Sequence, residues 1–163
     1  MKPSLPLCVM AACAGLLLLA APAAAQLETI GPVIVAPGQP LVFEFDNDIP
    51  PGNTRNLLDF IGEAESAQPG TSGLLFITYG WSDPNNGTSG SLQTPDSPYF
   101  VGPRRPIDPG WWLLDFCPPK VSITFEAQEV PIIIEGQFGH WCIPEPGSLT
   151  LLGLAGLWGL RRR

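Results

Sequence analysis

Apolar and polar residues alternate along Val121-Ser122-Ile123-Thr124-Phe125-Glu126-Ala127, so Val121, Ile123, Phe125 and Ala127 share one side and Ser122, Thr124 and Glu126 the other. A period of two predicts a β-strand with one buried and one wet face. Leu41-Val42-Phe43-Glu44-Phe45 repeats the period. Further strand-like runs at 32–35, 57–61, 74–79, 111–116 and 130–135 bring the expectation to about seven short strands separated by turn-rich segments. No stretch carries the 3.6-residue period of a long amphipathic helix. Asp108-Pro109-Gly110 fits a type II turn, and residues 82–98, rich in Ser, Thr, Pro and Asn, read as a long surface loop. Antiparallel strands of this number predict an all-β chain, a β-sandwich with jelly-roll or immunoglobulin-like connections over residues 26–143.

The two ends break this pattern. Residues 1–25 read as Lys2, an apolar stretch from Leu7 to Ala21, and Ala23-Ala24-Ala25 before Gln26, the three regions of a secretory signal peptide. The expectation is export by the Sec machinery and cleavage by signal peptidase near Ala25. At the other end, Pro144-Glu145-Pro146-Gly147-Ser148 precedes an apolar run, 149–160, and then Arg161-Arg162-Arg163. The two prolines bar a helix from starting before them, while Ser148 is placed to cap one. Twelve helical residues span about 18 Å, short of the roughly 30 Å hydrocarbon core, so the run is a poor permanent anchor. The arginines favour the cytoplasmic side, which sets the Pro-Glu-Pro on the outer side of the inner membrane as an extended peptide open to a protease.

Pro144-Glu145-Pro146, the short Leu/Gly/Ala-rich helix and the terminal arginine cluster together resemble the PEP-CTERM sorting signal of Gram-negative bacteria. The resemblance covers residues 143–163. It implies recognition by an exosortase, a membrane-embedded cysteine protease or transpeptidase, with removal of the tail near the Pro-Glu-Pro, and it associates the chain with exopolysaccharide and biofilm. The chain then divides into a signal peptide (1–25), a secreted domain (26–143) and a sorting segment (144–163). Its expected destination, after a transient stage in the inner membrane, is the cell surface or extracellular matrix. The alternative is a chain that keeps its tail and stays in the inner membrane.

Charge narrows the partners. The secreted segment holds four basic residues, Arg55, Arg104, Arg105 and Lys120, against 14 of the 15 acids, a net −10, whereas the whole chain carries −7. Such a surface repels nucleic acid. Cys117 and Cys142 are the pair left after signal removal, and in an exported chain they are expected to form a disulfide. A metal site built from Cys117, Cys142 and His140 is the competing reading, but the spacing is not that of a zinc module and a fourth ligand is not apparent.

Candidate chemistry is sparse. His140 is the only histidine, and no Gly-x-Ser-x-Gly elbow surrounds a serine, so no catalytic residue is assigned. A glycoside-active enzyme would need two carboxylates across a cleft; Glu44, Asp59, Asp115, Glu126 and Glu135 lie in or beside expected strands, where solvated acids are ordinary. Asp46-Asn47-Asp48, and Asp83 with Asn85, offer hard oxygens to calcium, although Asx residues also stabilise turns without any metal. No cofactor or metal is expected beyond that option. Trp81, Trp111, Trp112, Trp141, Tyr79 and Tyr99 are the aromatic set available for stacking on sugars, with core packing the competing use of most of them. Trp81, Trp111 and Trp112 are the candidate sugar contacts. Trp111 and Trp112, adjacent on one strand, should point to opposite faces. These features favour a structural or carbohydrate-interacting protein over a secreted carboxylate-dependent enzyme.

Overall fold

The computed structural model describes residues 26–49 and 53–144. The expected signal peptide, residues 145–163 with the helix at 149–160, and Arg161, Arg162 and Arg163 lie outside the described residues. Among the described residues no helix is long and apolar enough to cross a membrane.

Ten strands form two antiparallel sheets. They are β1 (Gln26–Val35), β2 (Leu41–Asp46), β3 (Asn53–Ser66), β4 (Gly73–Asp83), β5 (Thr88–Gln93), β6 (Tyr99–Val101), β7 (Arg105–Ile107), β8 (Trp112–Leu114), β9 (Lys120–Gln128) and β10 (Ile132–Pro144). One sheet has the order β1-β10-β3-β7, with β8 also on β3; the other has the order β2-β9-β4-β5, with β6 also on β4. The expected all-β sandwich is therefore present, built from more and longer strands than the sequence pattern suggested.

The alternation in β9 decides how the sheets meet. Val121, Ile123, Phe125 and Ala127 are wholly buried, and β9 lies between β2 and β4. In the facing sheet, β10 lies between β1 and β3 and turns Ile132, Ile134 and Phe138 inward. Phe125 meets Phe60 of the opposite sheet edge to face at 5.3 Å, and Phe138 stacks on Phe45 at 5.6 Å. Edge-to-face and offset geometries suit the quadrupoles of the rings, so these pairs add to the apolar area they bury.

Gly62 and Gly136 sit directly opposite each other on β3 and β10. A Cβ on Gly136 would stand 2.7 Å from the Phe60 ring and 2.6 Å from the Ile61 carbonyl oxygen. The absence of side chains at this pair is what allows the Phe60 ring to lie across the sheet. β1 is an edge strand with a register shift between Ile30 and Val33, where Gly31 takes a positive φ of 83°. The shift keeps Ile30 and Val35 on the inner face.

The segment expected to be one long loop, 82–98, is instead largely a hairpin. Asp83 Oδ1 accepts from the Asn85 backbone and Asp83 Oδ2 from the Asn86 amide, Gly87 takes a φ of 69°, and the chain returns as β5. β5 escaped the sequence pattern because nearly all of its residues are exposed, so it has no buried face to mark it.

Replacing Gly136 with Ala should cost about 1–3 kcal/mol, because both Phe60 and the β3 backbone must move. Urea denaturation of the two proteins measures it, and an unchanged midpoint would show that the Phe60 ring has room to spare.

Candidate functional site

Two regions concentrate polar groups whose surroundings alter their chemistry. The first lies along the edge of the sandwich. β7 pairs with Gly62–Ala64 of β3 and β8 with Asn56–Leu58, which leaves a notch beside Asp59, Phe60 and Ile61. Asp108-Pro109-Gly110 bridges this notch between β7 and β8, which run the same way along β3, so the expected type II turn does not reverse the chain here; Gly110 has a φ of 76° and donates its N–H to Asp108 Oδ1 at 3.0 Å. Two tyrosines pin this bridging segment from the other sheet. Tyr79 donates its hydroxyl to the Gly110 carbonyl at 2.8 Å, and Tyr99 donates to the Asp108 carbonyl at 3.1 Å.

Titration at this edge is shifted by burial. Burial is the largest cause that holds the Tyr79 hydroxyl well above the usual tyrosine range, with Asp59, Tyr99 and Asp108 adding to it. Tyr99 is pushed up to about 12, first by burial and then by Asp96 and Asp108, against a smaller opposing effect of Arg105. The Asp59 carboxyl is raised by desolvation, with the Phe60 N–H opposing and Asp108 adding to the rise. Both tyrosines therefore remain neutral hydrogen-bond donors at ordinary pH. Next to this segment, Asp96, Pro98, Tyr99, Phe100, Arg105, Pro106 and Asp108 line an open depression of about 500 Å³.

The second region is the polar end of the core. His140 is fully buried, stacked on Phe45 at 5.9 Å, and its Nδ1 lies 3.2 Å from Asn47 Oδ1. Asn47 donates its amide to the Pro118 carbonyl and to the sulfur of Cys142, and Asn56 donates to that same sulfur at 3.5 Å. Cys142 is bonded to Cys117, with their Cα atoms 5.8 Å apart. The expected disulfide is thus formed, and its sulfurs are not available as thiolate metal ligands beside His140. Two oxygens and one nitrogen here, Thr54 Oγ1, Asn56 Oδ1 and His140 Nε2, are buried without a partner. Glu28 Oε1 stands 4.0 Å from Nε2. Desolvation lowers the His140 pKa, while Glu28 and Asp48 oppose that shift.

The aromatic candidates separate. Trp111 is 67% exposed, while its neighbour Trp112 packs against the core; Trp111 lies just before β8 rather than on it, so the contrast is not the strand alternation that was expected. Trp81 lies on the inner side, edge-on to Phe116 at 4.7 Å, over the space that Gly90 leaves open. Of the three named sugar contacts, Trp111 is the one that presents its ring to solvent. Tyr79 and Tyr99 are buried and act through their hydroxyls.

Of the acids named from the sequence, Glu44, Asp115 and Glu135 are held in ion pairs, whereas Asp96 and Asp108 share the edge depression. Glu44 pairs with Lys120, Asp115 with Arg55, and Glu135 with Arg104, which also holds Glu63. Glu63 and Glu135 are direct neighbours across β3 and β10, and the guanidinium between them bonds both carboxylates, offsetting one of their two charges. The calcium candidates also separate. Asp46 lies near Lys120, Asn47 turns into the core, and Asp48 bonds Gln26; Asp83 and Asn86 bond within their turn. Among the described residues no three His, Cys, Asp or Glu side chains gather around one point.

No protein-family model matches the chain, and no curated protein matches it. Among solved structures, it is similar to a chain of the infectious bursal disease virus Gx strain, with a TM-score of 0.48 and 10% identity over 73% of this chain and 33% of that one. It is similar also to a chain of the VP2 subviral particle of infectious bursal disease virus, with a TM-score of 0.41 and 10% identity over 76% of this chain and 31% of that one. The chain spans about a third of the length of these neighbours. Likeness at this level carries no inference about function.

Sequence reasoning missed Asp96, Phe100 and Arg105, which lie on or next to short strands with no period to read, and it read Asn47 as a calcium ligand or a turn-stabilising residue rather than a partner of His140.

Because folded His140 holds its proton less tightly than the unfolded side chain at its usual 6.5, the unfolded state binds more protons as pH falls below that value. Its contribution is therefore intact above about pH 7 and lost on acidification, at up to about 1.4 kcal/mol per pH unit until the folded histidine also protonates. Urea titrations from pH 7.5 to 5.5 should show this slope in the wild type and a flatter one in His140→Leu. Equal slopes would contradict the buried neutral histidine.

Proposed function

We propose that the chain is an exported structural or carbohydrate-interacting protein of a Gram-negative cell surface or matrix, associated with exopolysaccharide and biofilm. In this reading the Sec machinery and signal peptidase deliver residues 26–163, and an exosortase then removes the tail through Pro144, Glu145 and Pro146 and the arginine stop. The role is one of binding or scaffolding rather than catalysis.

The supporting observation is where the sandwich closes. β10 is an interior strand, Cys142 is tied to Cys117, and Pro144 already pairs with Asn53. Cleavage beyond Pro144 would leave every described strand and every described core residue in place.

The strand order supports jelly-roll connections for the domain. Between β1 and β4 each strand crosses to the other sheet, β9 and β10 cross again, and the first strand lies beside the last. Immunoglobulin-like domains instead keep A with B and D with E in one sheet. The glycoside-active alternative draws no support from the Glu63–Glu135 pair, because both carboxylates are engaged by Arg104.

Intact-mass analysis of the product from cells with and without exosortase tests the reading. The expected product in the presence of exosortase lacks Arg161, Arg162 and Arg163 and keeps the Cys117–Cys142 bond; without the enzyme the arginines remain. A full-length tail in both strains would contradict it and favour the tail-anchored alternative.

A further inference from the structure

We propose that the depression between β6 and β7 binds a neutral saccharide unit, with Phe100 as the stacking surface and Asp96, Asp108 and Arg105 as the hydrogen-bonding groups. The inference rests on the carbohydrate-interacting reading and gives it a location and a ligand chemistry.

The depression arises where the chain passes from one sheet to the other. β6 pairs with β4 and β7 with β3, so the walls belong to different sheets. Two cross-links hold the walls in place: Arg105 Nη1 donates to the Phe100 carbonyl at 3.0 Å, and the Tyr99 hydroxyl donates to the Asp108 carbonyl at 3.1 Å. A site fixed in this way loses little freedom when it is filled. Its volume of about 500 Å³ falls within the usual range for small-ligand sites.

The lining selects the ligand by charge and shape. Phe100 is 61% exposed on the wall, and Pro98 and Pro106 add rigid apolar surface. The C–H face of a pyranose ring suits such a surface, and its hydroxyls require both acceptors and donors. Asp96 and the Asp108 oxygen not used by Gly110 supply acceptors, and the remaining Arg105 N–H groups supply donors. A metal cation is disfavoured by the Arg105 guanidinium in the same lining. A polyanion is disfavoured by the two aspartates and by the net −10 of residues 26–143. A neutral polyol satisfies every group.

Affinity electrophoresis of the exported, processed protein tests this, with the producer's exopolysaccharide, a neutral glucan and a polyuronate as the immobilised probes. Retardation is expected on the exopolysaccharide or the glucan but not on the polyuronate. Phe100→Ala and Asp96→Asn should each weaken it at least tenfold, while Val42→Ala on the edge strand β2, outside the lining of the depression, leaves it unchanged. Phe100 and Asp96 are exposed, and unchanged thermal unfolding of both variants verifies their folding. Retardation of both variants equal to wild type would overturn the site and leave the carbohydrate reading standing. Equal retardation on the polyuronate would overturn the neutral ligand. No retardation of the wild type on any probe would remove the carbohydrate reading together with the site.

Discussion

The pairing of β10 on both of its edges is the constraint on which the rest of the sandwich depends. Through β1 and β3 this strand holds one sheet together, and through Ile132, Ile134 and Phe138 it supplies much of that sheet's buried face. The same inward row continues into His140 and Cys142, where the apolar core gives way to amides and sulfur. Buried polar groups are costly unless paired, and this end is only partly paired. The disulfide offsets that weakness. By the chain-entropy model a bridge closing a 25-residue separation contributes about 3.5 kcal/mol. It joins β10 to the segment that leads into β9, an interior strand of the other sheet, so one interior strand of each sheet is held near the same covalent tie.

That arrangement also separates fold from address. Exposed ion pairs such as Arg55–Asp115 and Lys120–Glu44 contribute little to stability in water. The acidic surplus of residues 26–143 acts instead on partners, favouring solubility and repelling polyanions. At the edge, short strands of the two sheets meet, and two neutral tyrosine hydroxyls hold them together.

What the sequence disclosed tracks how strictly burial alternates. β9 and β2 were legible because each has one dry face, and the disulfide was legible because an exported chain with two remaining cysteines has a natural pairing. β5 was not legible, since almost all of it is wet and glycine and serine there carry no period. β6, β7 and β8 have three residues each, too few for a period to appear. Asn47 escaped for a different reason: between two aspartates it reads as a calcium or turn residue, and the His140 ring it meets lies 93 positions away in the chain. The edge depression is likewise a product of topology, since its walls belong to different sheets.

Native-state hydrogen exchange tests most directly whether the end of β10 is locked into the domain. With the disulfide intact, the hydrogen-bonded amides of Phe138–Ile143 should exchange as slowly as those of Val121–Ala127, through global unfolding. After reduction the last residues of β10 should exchange faster while Ile132–Ile134 stay protected. Fast exchange at Phe138–Ile143 in the oxidised protein would contradict the account, because the strand that closes the sandwich would then be open at the point where it must be fixed.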